Sequence, residues 1–130
     1  MKIFTSYFKL NGNHPQAKSI VPYTPEFFKG DSISILSPNL TLIQGVKKGF
    51  IKQETLLEIY RRDIITKVIL KDILYILKDG DILLGYIKDY NMCHRKIVAE
   101  YLMNHDIECE ELNTTLLPIV KENVDGRKAI

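Results

Sequence analysis

A chain of 130 residues, 45% hydrophobic and 26% charged, has the length of one domain and the balance of a globular protein, which excludes an intrinsically disordered chain. The formal charge of +2 falls short of a nucleic-acid footprint, and doublets such as Lys47-Lys48 and Arg61-Arg62 read as solvated helix faces. Two isolated cysteines, Cys93 and Cys109, with no CxxC pair and scattered histidines (His14, His94, His105), argue against a disulfide framework or structural zinc and predict two free thiols.

Residues Lys2 to Phe8, rich in β-branched and aromatic types, predict a first strand, and Asn11-Gly12-Asn13-His14-Pro15 a turn. Lys18 to Pro22 is a short second strand stopped by proline. Tyr23 to Asn39, punctuated by Pro25, Gly30 and Pro38, is a long irregular segment of the kind that carries function. Short helices are expected over Leu40 to Val46 and Ile69 to Leu77. Between them, Leu56, Leu57, Tyr60, Ile64 and Val68 recur at helical spacing and predict a helix over Gln53 to Val68.

Ile82 to Ile87 is apolar almost throughout and suits a central parallel strand covered on both faces, flanked by the first two strands. Cys93 to Asn104 follows as a helix with Ile97, Val98, Tyr101 and Leu102 facing the core and Asn104 as its cap, and Ile107 to Leu112 is a fourth strand. Glu108, Glu110 and Glu111 read as the exposed side of that edge strand. The fold class is therefore α/β: one three-layer domain over residues 1–112, with a mainly parallel sheet of about four strands and flanking helices. Residues 113–130 form an extension, partly docked through Leu116 to Val120 and frayed at its end. Neither a signal-peptide pattern nor an apolar run of the roughly 20 residues needed to span a bilayer is present, so a cytoplasmic location away from membranes is expected.

Ligands of parallel α/β sheets bind beyond the carboxyl ends of the strands, and there the sequence places Cys93-His94-Arg95. A helix start favours anions; Arg95 would supply a forked cationic donor, His94 a group titrating near neutrality, and Cys93 a thiol whose anion the helix stabilises. The plain alternative is that Cys93 caps the turn, His94 is solvated and Arg95 pairs with a carboxylate such as Asp89. Ser6 and Tyr7, at the carboxyl end of the first strand, are further candidates to face a ligand. No P-loop, dinucleotide fingerprint, nucleophile elbow or zinc-protease motif occurs, and no metal or cofactor is expected.

Several strings together are similar to the family catalogued as domain of unknown function 488. They are Thr5-Ser6-Tyr7-Phe8, Pro25-Glu26-Phe27-Phe28-Lys29-Gly30, Leu36-Ser37-Pro38, Tyr60, and an apolar strand followed by Cys93-His94-Arg95 and Val98-Ala99-Glu100-Tyr101-Leu102. The similarity spans roughly Met1 to Leu112. It implies an α/β domain of bacteria, archaea and their viruses that acts on or binds nucleotide-like or nucleic-acid-linked molecules, and it adds Phe28, Lys29 and Tyr60 to the expected ligand-binding set. Gly85 stands where the family usually carries a cysteine and Ile87 where it carries a glutamate. A two-cysteine redox or metal mechanism thus lacks its second thiol, and an acid–base role for that glutamate has no residue to perform it.

Two functions follow. One is a module that binds a small phosphorylated, nucleotide-like ligand at the Cys93-His94-Arg95 turn. The other is an enzyme, a hydrolase or transferase, with Cys93 and His94 catalytic and Arg95 clamping the anion. The missing cysteine and glutamate tilt the balance slightly to binding, and the weak net charge disfavours nucleic acid as the partner.

Overall fold

Four strands, β1 (Lys2–Tyr7), β2 (Ala17–Ser19), β3 (Ile82–Gly85) and β4 (Glu108–Glu111), form a parallel sheet in the order β2-β3-β1-β4 in the computed structural model, which describes residues 1–117. Five α-helices accompany them among the described residues: α1 (Phe8–Asn11), α2 (Leu40–Lys47), α3 (Gln53–Ile59), α4 (Leu70–Ile76) and α5 (Arg95–Asn104). The protein is an α/β domain, and no described helix is long and apolar enough to cross a membrane.

The central place of β3 follows from its composition. Ile82, Leu83 and Leu84 point alternately to the two faces of the sheet, and each is fully buried because a layer covers both faces. Leu83 and Ile3 meet Ile97, Val98 and Leu102 of α5, with Tyr60 and Ile73 from the long connection before β3. On the opposite face Ile82 and Leu84 meet Phe8 of α1, Phe28 and Leu112. The layers are unequal: helices fill the first, whereas one short helix, a loop and the chain after β4 make up the second. Leu116 belongs to that thin layer, its N–H donating to Asn11 Oδ1 at 2.7 Å; Pro118 to Val120 lie outside the described residues.

Three departures from the sequence reading shape the site. Phe8 opens α1 instead of closing β1. The helix expected over Gln53 to Val68 is wound three ways: α3, a π-helical turn at Tyr60–Ile64, and a 3-10 turn at Ile65–Lys67. The last long helix begins at Arg95, not Cys93, after a 3-10 turn at Tyr90–Met92 that leaves Cys93 extended (φ −110°, ψ 143°) and His94 as an N-cap without a side-chain cap. At the other end Asp106, at φ 62°, takes the left-handed position, so Asn104 does not cap α5.

The turn into β3 is held by a buried carboxylate. Asp81 has no exposed surface; its Oδ1 lies 2.9 Å from Lys18 Nζ and its Oδ2 accepts from the Lys78 N–H at 2.9 Å. Asp81→Ala strands a largely buried lysine, and removing one member of such a pair costs about 3 kcal/mol or more. Urea unfolding should show that loss as a lower midpoint at unchanged slope; a change below about 1 kcal/mol contradicts this role.

Candidate active site

β2 and β3 end side by side, and α5 starts just beyond them. Gly85, the last residue of β3, sits beneath this junction. A Cβ there would lie 2.5 Å from Cys93 Sγ and 3.6 Å from Arg95 Nη1, so the absence of a side chain is what lets the sulfur rest on the strand.

Arg95 has no exposed surface. Its Nε and Nη2 donate to Glu111 Oε1 and Oε2 at 3.0 and 2.9 Å, Nη2 donates also to the Lys88 carbonyl at 3.0 Å, and Nη1 donates to the Ile87 carbonyl. The guanidinium carbon lies 5.7 Å from the Tyr7 ring centroid and 5.6 Å from that of Tyr90. The expectation of an Arg95 fork open to a ligand anion is thus corrected: the fork grips β4. Its carboxylate is Glu111 and not Asp89, whose side chain accepts from the Asn91 N–H at 3.0 Å. Glu111 also leaves the exposed row expected for it. Strand alternation turns Cys109 and Glu111 toward α5 and leaves Glu108 and Glu110 outside, and Thr5 Oγ1 donates to Glu111 Oε1 at 2.7 Å.

His94 is buried, so the solvated alternative fails. Its Nε2 lies 2.6 Å from the Ile20 carbonyl oxygen. A carbonyl only accepts, so Nε2 carries the proton and Nδ1 is left facing Cys93 Sγ, 3.8 Å away. Ile20 can offer that carbonyl because β2 stops at Ser19, although the Ile20 N–H still donates to the Leu84 carbonyl at 3.1 Å. The Tyr60 ring packs edge-on at 5.0 Å from the His94 ring, held by a 2.6 Å hydrogen bond from its hydroxyl to the Leu36 carbonyl. Burial, and then the charge on Cys93, push the Tyr60 phenol well above its ordinary range. Its π-helical turn is a winding common at functional sites.

The thiol of Cys93 sits among donors. Burial alone would push it up, but the hydrogen bond between Cys93 and His94, the charges of His94 and Arg95, and the Arg95 backbone N–H together bring it down to about 7. Cys109 shows the opposite balance. Burial, reinforced by Glu111, pushes it up to about 12. Both thiols are free, as the sequence predicted.

Cys93 and His94 form the floor of a cavity of about 370 Å³. Its walls are mostly apolar, from Val21, Pro22, Pro38, Ile43, Val46 and Leu56, with Tyr23, Lys47 and Tyr86 also lining it. Gln53 lines it too and donates from Nε2 to the Met92 carbonyl at 2.7 Å, fixing the backbone just before Cys93. Among the described residues no three histidine, cysteine, aspartate or glutamate side chains come together as a metal-binding set.

Of the residues singled out from the sequence, Cys93, His94, Tyr60 and Arg95 therefore meet, Arg95 as a scaffold. Ser6 and Phe28 do not join them. Ser6 Oγ faces the other side of the sheet and accepts from Asn11 Nδ2 at 2.8 Å, and Phe28 packs on Phe8 with centroids 5.2 Å apart. Lys29 is exposed and lines no described cavity; Tyr7 borders a shallow depression with Leu10 and Lys88. Lys47, Gln53 and Tyr86 were not anticipated as lining residues. The irregularity around Tyr23 was the one sequence signal for this rim.

Arg95→Ala should destabilise the fold by about 3–5 kcal/mol, because it leaves Glu111 facing a void and two carbonyls without donors. Arg95→Lys should recover only part, since it keeps the charge and loses the fork. Thermal unfolding of both variants checks this, and an Arg95→Ala melting temperature equal to that of the parent protein contradicts it. Comparison of the chain with family models, with curated proteins and with solved structures finds no match.

Proposed function

We propose that this chain is an enzyme, a hydrolase or transferase acting on a small nucleotide-like substrate, with Cys93 as nucleophile and His94 as its acid and base. The observation that carries this reading is the Cys93–His94 contact at the floor of the cavity, with the far ring nitrogen of His94 anchored on the Ile20 carbonyl. Nucleophile, base and a group orienting the base are the three parts that thiol catalysis needs.

In this reading Cys93 gives its proton to His94 Nδ1, and the thiolate attacks the electrophilic centre of the substrate. The bond from that centre to sulfur forms as the bond to the leaving group breaks, and the leaving group takes the proton from Nδ1. Water, or a second acceptor molecule, then loses a proton to Nδ1 and attacks the same centre, returning the thiolate. Arg95 contributes by holding the thiolate form through its backbone N–H and its charge, not by clamping the substrate. The resemblance to the domain of unknown function 488 supports the nucleotide-like class.

A binding module without chemistry is the second reading. The lining favours it in one respect, because none of its described residues is a carboxylate that could assist His94 in activating water.

Alkylation by iodoacetamide, mapped by peptide mass spectrometry, tests the nucleophile. The rate at Cys93 should rise with pH through a midpoint at about 7, because only the thiolate reacts, whereas Cys109 stays inert in the folded protein. His94→Asn should raise the midpoint. A Cys93 no more reactive than Cys109 contradicts the enzyme reading. Mass spectrometry of small molecules released on heating the purified protein then identifies the bound class.

A further inference from the structure

Lys47 is the only lysine, arginine, aspartate or glutamate among the described residues lining the cavity over Cys93. It ends α2 and has no carboxylate partner among the described residues. Instead its Nζ donates to the Tyr23 hydroxyl and lies 4.8 Å from the centroid of the Tyr23 ring. Tyr23 lies 5.9 Å from Tyr86, which leans on Phe8 at 4.8 Å. Both tyrosines are partly exposed, at 39% and 43%. The cavity therefore has a thiol and imidazole at its floor, apolar walls, and a rim of two aromatic rings with one uncompensated cation.

We infer that Lys47, Tyr23 and Tyr86 select the substrate: a molecule with a flat, largely apolar body and one anionic group, a carboxylate or a single phosphate. This rests on Cys93 being the reactive thiol and sharpens the substrate class of that reading. The anion meets Lys47 at the rim, the body lies along the aromatic and aliphatic walls, and the electrophilic centre reaches Sγ. With Arg95 spent on Glu111, Lys47 takes over the anion-binding role. A di- or triphosphate would bring further charges against apolar walls with no cation to meet them, a cost that burial of unpaired charge makes large.

The test uses the full chain and two thiol reagents, iodoacetanilide and its para-carboxy derivative. Each delivers the same electrophile: sulfur displaces iodide, forming a carbon–sulfur bond as the carbon–iodine bond breaks. They differ by one carboxylate at the end remote from the reacting carbon. Rates at Cys93 are divided by those for glutathione under the same conditions, which removes intrinsic reactivity. The carboxylated reagent should then be favoured at least about fivefold at low salt, a preference that shrinks as salt is added. Lys47 is exposed, so its variants keep the fold. Lys47→Gln should bring the preference close to one, and Lys47→Arg should retain it. A reactive Cys93 without charge preference, or with a preference that survives Lys47→Gln, overturns this inference alone. Failure of both reagents at Cys93 overturns the thiol reading and this inference with it.

Discussion

A guanidinium with no exposed surface must spend its N–H groups inside the protein, and Arg95 spends them on Glu111 of β4 and on the Ile87 and Lys88 carbonyls that follow β3. Taking two charges out of water costs several kcal/mol per ion, and a bidentate pair offsets that only with good geometry. What the pair fixes is position. It ties the first residue of α5 to β4 and to the segment that follows β3, so the chain just before that residue has one place to go. Cys93 is thereby laid on Gly85, and His94 is turned toward the Ile20 carbonyl.

Around this anchor the environment sets the chemistry. The same apolar surroundings that would suppress a thiolate also strengthen each donor aimed at it, because electrostatic interactions grow as water is excluded. At Cys93 the donors prevail; at Cys109, which has a carboxylate neighbour instead, burial prevails. Two cysteines in one small domain are thus driven in opposite directions by what faces them. A side chain at position 85 would displace the sulfur from its donors, so the glycine is part of the site although it carries no functional group.

Much of the fold was legible because periodicity is a local signal. The apolar run at Ile82 to Ile87 suits a strand covered on both faces, which the structure ends at Gly85, and the spacing of Ile97, Val98, Tyr101 and Leu102 suits a helix stripe facing the core. The site was legible in part. Cys93-His94-Arg95 stands out in the sequence because ligands of parallel sheets bind beyond strand ends, and the structure brings these three residues together there. The role of Arg95 was not readable: its partner lies 16 positions away in a strand of alternating glutamates, and nothing local marks Glu111 as the inward one. Phe28 lies in the loop after β2 and packs against Phe8 on the far face of the sheet, and Ser6 is turned away by its parity in β1. Adjacent strand residues point to opposite faces, and only the odd-numbered side of β1 looks toward α5. The cavity rim comes from α2, α3 and an irregular loop, whose approach to one another is tertiary and has no period in the sequence.

The proposed chemistry requires His94 to present Nδ1 to the thiol while Nε2 holds the Ile20 carbonyl. Nuclear magnetic resonance of the His94 ring nitrogens, followed with pH alongside the Cys93 β-carbon, observes both directly. The proposed chemistry predicts a proton on Nε2 throughout, and a midpoint at about 7 at which the Cys93 signal moves from thiol to thiolate. A His94 that carries its proton on Nδ1 alone, beside a Cys93 titrating at or above the ordinary thiol value of about 8.5, contradicts it.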